Sequence, residues 1–190
     1  QVAITLIDYQ FNSVIESAYI QTDERTAVIG QVYAAIDTVA LGLQLGAGII
    51  ISVIGVSGTI IGVPAILAGC LGVFLLSPTF ALMAVAKVAS KALDYSVFRA
   101  AKECLYLPLN HGERTQGKAV IDMLTYRAAK GAASLIILAV VAMKASGLPI
   151  TILALGVTGL WLLMTLLLVP RYRRKVAMIA DTTTTNSPST

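Results

Sequence analysis

Between Thr38 and Ala86 the chain contains no Asp, Glu, Lys or Arg, and the same holds from Ala145 to Pro170. Charge-free runs of that length cannot wet a surface. They do accommodate helices of roughly 20 apolar residues, the length that crosses a hydrocarbon core. The rest of the composition agrees: 57% of residues are hydrophobic, 13% are charged, and the mean hydropathy is +0.82. A soluble domain carries about a quarter charged residues. The sequence therefore predicts an all-α integral membrane protein with the lipid bilayer as its first partner. The formal charge of +4 does not point to nucleic acid. Much of it sits in Arg171, Arg173, Arg174 and Lys175, directly after an apolar run, where the positive-inside rule places a cytoplasmic helix end.

Six helical spans can be drawn. The first runs from about Gln1 to Ile20 and ends at a polar turn, Gln21 to Arg25. The second runs from about Thr26 to Ile54 and breaks at Gly55-Val56-Ser57-Gly58. The third covers Thr59 to Leu76 and stops at Ser77-Pro78, because proline cannot continue a helix. The fourth covers Phe80 to about Leu107, before Pro108. The fifth runs from about Arg114 to Met143. After a turn at Ala145-Ser146-Gly147, the sixth covers Pro149 to Val169, with proline at a helix start where its missing N–H costs nothing. The bundle is expected over residues 1–180, and the polar stretch 181–190 is expected to be a disordered tail. The chain begins at Gln1 without an initiator Met or signal-peptide pattern and meets its first charge at Asp8. It is expected to start inside a helix, as a piece of a longer protein.

The spans repeat. Asp8-Tyr9 recurs as Asp94-Tyr95, and Glu16 with Tyr19 recurs as Glu103 with Tyr106. Glu24-Arg25-Thr26 recurs as Glu113-Arg114-Thr115, and Ile36-Asp37 as Ile121-Asp122. The four marks keep their order, and each is displaced by nearly the same amount, which spans three helices. A three-plus-three inverted repeat is the plan within each half of the major facilitator transporters, so the expected architecture is half of a twelve-helix fold of that type. With Arg171 to Lys175 inside, six spans put the loop Asn110 to Arg114 inside too, and the C-terminus is expected to be cytoplasmic.

Charges inside membrane helices are expensive and mark a pathway or a partner. On the fourth span Lys87, Lys91, Asp94 and Lys102 share a face at the three- and four-residue spacing that aligns helical side chains, with Tyr95 and Tyr106 along its edge. On the first span Asp8, Asn12, Glu16 and Tyr19 align likewise. On the fifth, Arg114, Lys118, Asp122, Tyr126 and Lys130 recur every fourth residue. Lys130 lies deepest, with only small and aliphatic residues beyond it. These stripes suit a cavity lined mainly by cations for an anionic solute such as a phosphate ester. Lysines would supply point charges, and tyrosine rings would stack on a flat group. The candidate substrate-binding residues are Asp8, Lys91, Asp94, Lys102, Glu103, Lys118, Asp122 and Lys130. The structural alternative makes Lys118–Asp122 and Lys91–Asp94 ion pairs that hold the bundle, with Arg99, Lys102 and Arg114 snorkelling to the inner surface.

Other motifs carry less. Gly112 to Lys118 matches the first seven positions of a phosphate-binding P-loop, but Ala119 stands where Ser or Thr would hold magnesium, and no strand precedes it. His111 is the single histidine, and Cys70 and Cys104 suggest neither a disulfide nor a metal site. Glycines from Gly42 to Gly159 fall at helix-packing spacings, and Pro64 suggests a kink. No nucleophile–base constellation is present, so an enzyme is not expected, and no cofactor is called for.

The central stretch resembles a known family. Ser90-Lys91, Tyr95-Ser96, Lys102-Glu103, Tyr106, Pro108-Leu109, Gly117-Lys118-Ala119, Ile121-Asp122 and Gly131 after Lys130 resemble the C-terminal half of the ATP/ADP translocases of plastids and obligate intracellular bacteria, relatives of the major facilitator superfamily. Leu6-Ile7-Asp8 resembles a family segment with an acidic residue in the seventh helix. The resemblance implies that the six spans are helices seven to twelve, that the absent N-terminal half is a partner, and that the cargo is ATP or ADP. It implies roles for Asp8 and Lys130, with Lys102, Glu103 and Lys118 accessory. Asp94 stands where the exchangers usually carry Lys, Arg99-Ala100-Ala101 stands where an Asp-Pro pair often precedes Lys102, and Ala132-Ala133 replaces glycines. The first change reverses a charge in the expected cavity. The competing readings are a carrier for another organic anion and a membrane anchor or interaction module that transports nothing.

Overall fold

The computed structural model describes residues 1–106, 120–142 and 147–185, with the backbone alone for residues 120–122 and 175–185. Among the described residues every regular element is helical. In chain order these are α1 (Val2–Ala18), α2 (Thr22–Leu76), α3 (Phe80–Leu93), α4 (Arg99–Leu105), α5 (Tyr126–Ala142) and α6 (Gly147–Thr185). A π-helical turn, Asp94–Phe98, joins α3 to α4 without a break, and a second, Val120–Thr125, leads into α5.

α2 is 55 residues long, roughly 80 Å at the rise of an α-helix and far beyond one bilayer crossing. It is in fact two segments, 22–54 and 56–76. Gly55 separates them at φ 77°, ψ 159°, a region that is essentially glycine-only. The expected break at Gly55 is thus present, as a single residue of non-helical backbone. Pro64 lies inside the second segment. Three described helices are long and apolar enough to cross a membrane: Thr22–Leu76, Met123–Ala142 and Gly147–Arg174.

The helix ends correct the sequence reading in two places. Thr22 to Arg25 do not form a turn; they open α2, where Asp23 and Glu24 fall in the first turn and complement the positive end of the helix dipole. The last helix does not stop near Val169. Pro170 lies within α6, which continues to Thr185, so residues 181–185 are helical, and 186–190 lie outside the described residues. α3 starts as a capped helix: the Thr79 hydroxyl oxygen accepts from the Leu82 amide at 3.4 Å, one of the donors a helix start leaves open.

α2 lies against α3, α4, α6 and the first π-helical turn, and α1 packs against α3, α5 and α6. Its buried side, with Leu6, Ile7, Phe11 and Ile15, meets Val32, Ile36, Leu71 and Phe74 of α2, Met83 and Ala86 of α3, and Ile150 and Ala154 of α6. Along α2 the buried positions Ile60, Val63, Leu67, Leu71 and Phe74 follow the three–four alternation of a packed helix seam. α6 presents Thr151, Thr158 and Thr165 to the interior. Each hydroxyl donates to the carbonyl four residues earlier, at 3.2, 2.7 and 2.8 Å, so none is buried unsatisfied. The outward faces are apolar. Leu45 and Val53 are each 79% exposed, and Leu41 and Ile49 complete that stripe. Exposed aliphatic surface on this scale fits acyl chains rather than water.

Candidate functional site

Among the described residues, two of the polar features that flank α1 bear on a site. The first is an ion cluster between α1 and α3. Asp8 Oδ1 accepts from Lys87 Nζ at 2.8 Å, and Asp8 Oδ2 pairs with Lys91 Nζ at 2.7 Å. Lys87 and Lys91 lie one turn apart on α3, so both ammonium groups reach a single carboxylate. The Lys87 side chain is only 2% exposed. Its ammonium also sits 5.2 Å from the Phe11 ring centroid and 5.5 Å from that of Tyr33, so two aromatic faces and one carboxylate replace its water. Lys91 lies over the Tyr95 ring at 5.9 Å. The side of α1 that carries Asp8, Asn12 and Glu16 faces away from the core, with Asn12 and Glu16 exposed.

The second feature is a cleft of about 270 Å³ where α1, both π-helical turns, α4, α5 and α6 converge; Asp94, Phe98, Lys102, Thr125, Tyr126 and Trp161 line it. Asp94 and Phe98 come from the first π turn and Thr125 from the second. A π turn admits an extra residue per turn and re-aims side chains, and such turns recur at functional sites. Phe98 and Trp161 meet edge to face, with centroids 5.3 Å apart at 82°, a favoured aromatic geometry that fixes one wall. Asp94 Oδ2 accepts from the Gln1 side-chain amide at 3.4 Å. Lys130 stands one turn beyond Tyr126, its ammonium 4.8 Å from that ring's centroid. Ile4 of α1 lines the cleft and Asp8, one turn further on, holds the ion cluster, so the two features flank the same end of α1.

The sequence-derived residues thus divide into groups. Asp8 and Lys91 are in direct contact. Asp94 and Lys102 share the cleft, and Glu103 is partly buried beside Lys102 on α4. Lys130 is exposed and borders the cleft through Tyr126. Asp122 falls in the second π turn, and of this residue only the backbone is described. Lys118, the P-loop-like segment and His111 lie outside the described residues. The expected Lys91–Asp94 pair is replaced: Lys91 reaches across to Asp8, because a carboxylate from a neighbouring helix meets the lysine head on, whereas Asp94 is drawn into the cleft toward Gln1.

Sequence reasoning placed Lys87 on the charged face but left it out of the binding set. Its signal was available, since it is the first charge after the long apolar run and stands four residues before Lys91. Phe98 and Trp161 were missed. Trp161 is the single tryptophan, but nothing in the sequence pairs it with Phe98. Chemically, the site offers clustered ammonium groups, carboxylates that modulate them, and aromatic faces on which a planar group can stack.

A family model described as TLC ATP/ADP transporter matches residues 49–172 of the chain. The chain is 42% identical over 53 residues to ADP,ATP carrier protein 1 of Chlamydia muridarum, and 40% identical over 53 residues to ADP,ATP carrier protein 1 of Chlamydia trachomatis. In both comparisons the matched stretch is 28% of this chain and spans 10% of the relative's length. No solved structure matches the chain.

Proposed function

The chain belongs to the TLC ATP/ADP transporter family, and we propose that it forms part of the substrate pathway of a nucleotide transporter that exchanges ATP and ADP by alternating access. The observation that carries this reading is the family match over residues 49–172. The polar features around α1 supply the chemistry the reading needs. The proposed pathway residues are Asp8, Lys91, Asp94, Lys102, Glu103, Lys118, Asp122 and Lys130. Lysine heads meet phosphate oxygens as charge-assisted donors, and Tyr126 and Trp161 in the cleft offer faces for a base. No covalent step belongs to this reading; binding biases a rocking motion between two halves of the protein.

In this proposal the chain is the C-terminal half of a twelve-helix major facilitator-type fold, and its six segments form an inverted three-plus-three repeat. The break at Gly55 supports it: α1 and residues 22–54 and 56–76 make one triplet, and α3 with α4, α5 and α6 make the other. The polar side of α1 and exposed Lys130 then face the N-terminal half across the pathway. The basic residues Arg171, Arg173 and Arg174 after an apolar run support a cytoplasmic C-terminus at a bacterial inner membrane in this reading.

Vesicles that contain the complete protein and are loaded with ADP test the reading directly. Saturable uptake of labelled ATP that requires internal ADP and is lost in Lys130→Ala is the expected result. Folded protein that takes up no nucleotide would refute it. Asp94, which reverses the usual charge, favours one second reading: uptake of a different organic anion from a panel of phosphate esters and carboxylates, with nucleotides excluded.

A further inference from the structure

One carboxylate serves two ammonium groups in the ion cluster. Asp8 gives Oδ1 to Lys87 at 2.8 Å and Oδ2 to Lys91 at 2.7 Å. Among the described residues, no second carboxylate pairs with either lysine. The cluster therefore holds an excess positive charge in an apolar surrounding, where charge is poorly screened. Its exposure is graded: the Lys87 side chain is 2% exposed, that of Lys91 14% and that of Asp8 28%. Lys87 is sealed beneath Phe11 and Tyr33, whereas Asp8 and Lys91 remain reachable from the polar side of α1. Two ammonium heads converging on the two oxygens of one small anion make an arrangement that a phosphate group also satisfies, with more charge than a carboxylate brings.

We propose that Asp8 is a built-in competitor for the anionic cargo. It fills the Lys87–Lys91 pair when the site is empty and yields that pair to a phosphate group when cargo arrives. Lys87 is the buried member: it holds one carboxylate oxygen in the empty site and leaves the pair with one positive charge in excess. Lys91, 14% exposed against 2% for Lys87, is the member that cargo meets first. The identity of the cargo rests on the nucleotide-carrier reading above; the competition does not. A ligand shifts such an equilibrium only by its differential contacts with the two states, and here the difference is the replacement of a monovalent carboxylate by a polyvalent phosphate. When cargo leaves, the carboxylate retakes the lysines, which hastens release. Binding strength and turnover are therefore set against each other at this residue. A carboxylate that merely bolts α1 to α3 would have no such effect.

Pyrophosphate binding to the complete purified protein, measured by calorimetry, separates the two roles. Asp8→Asn keeps the side chain's shape and removes its charge. The expected result is about tenfold tighter pyrophosphate binding, the effect of one modest charge contact, with a lower maximal exchange rate. Lys91→Gln is expected to weaken pyrophosphate binding at least about tenfold. Unchanged, weaker or unmeasurable pyrophosphate binding in folded Asp8→Asn would overturn the proposal. Should that variant fail to fold, pyrophosphate binding by Lys91→Gln equal to that of the parent would overturn it equally. Protein that follows the expected pattern with pyrophosphate but moves no nucleotide upholds the competition and sinks the carrier reading, so the two failures are distinct.

Discussion

At the scale of single residues, the Asp8 cluster shows how a buried charge is tolerated. Lys87 has lost nearly all its water, and its replacements are one carboxylate and two aromatic faces. Removing the carboxylate leaves that ammonium buried and unmatched, which is the costly way to break such a pair. Asp8→Ala is expected to cost about 2–3 kcal/mol, below the full range for buried pairs because Asp8 is itself partly exposed. Lys87→Met leaves Asp8 paired with Lys91 and puts an apolar chain of similar length into an apolar site, so it is expected to stay within about 1 kcal/mol of the parent. Denaturant unfolding of the two variants in micelles checks both values, and a reversed order would contradict the burial asymmetry. The helical spacing of Lys87, Lys91 and Asp94 was legible in the sequence, as was the presence of an acid on α1. The partner choice was not. Whether Lys91 meets Asp94 on its own helix or Asp8 on another depends on how α1 lies against α3, and periodicity within one helix carries no information on that.

Among the elements, the break in α2 and the π turns decide where polar groups can go. Gly55 holds a backbone conformation that other residues adopt only under strain. Gly55→Ala is expected to destabilise by about 1–3 kcal/mol even though nothing lies within 4 Å of the added carbon. Gly72→Ala, also with nothing within 4 Å but inside regular helix, is expected to be neutral or slightly stabilising, since alanine is the better helix former. Thermal unfolding of the two variants side by side makes this comparison, and equal losses would argue against a special role for Gly55. The glycine-rich break was readable because three turn-prone residues, Gly55, Ser57 and Gly58, interrupt an apolar run. The π turns at Asp94–Phe98 and Val120–Thr125 were not, because an extra residue per turn arises from packing against neighbours and leaves no mark in composition. The start of α2 was misplaced for a related reason: the polar run Thr22 to Arg25 reads as a turn, yet Asp23 and Glu24 are favoured in the first turn of a helix.

For the molecule as a whole, the apolar outer face and the polar flank of α1 divide the surface, and the proposed reading gives the first to lipid and the second to cargo. The first was plain from the charge-free runs. The second rests on residues from α1, both π turns, α4, α5 and α6 meeting around one end of α1, a convergence that spacing within single helices does not encode. Tyr126 and Lys130 border the cleft on α5, so a nucleotide in the pathway would cover them. The most direct measurement places a single cysteine at this position, Lys130→Cys, in the complete protein with Cys70 and Cys104 replaced by serine. A membrane-impermeant thiol reagent is then applied from either side of sealed vesicles, with and without ATP. Labelling from one side only, slowed by ATP and by ADP but not by a neutral sugar, is the result the pathway reading predicts. Labelling that ignores nucleotide, or that occurs only after the membrane is dissolved, would place Lys130 against lipid or protein and contradict it.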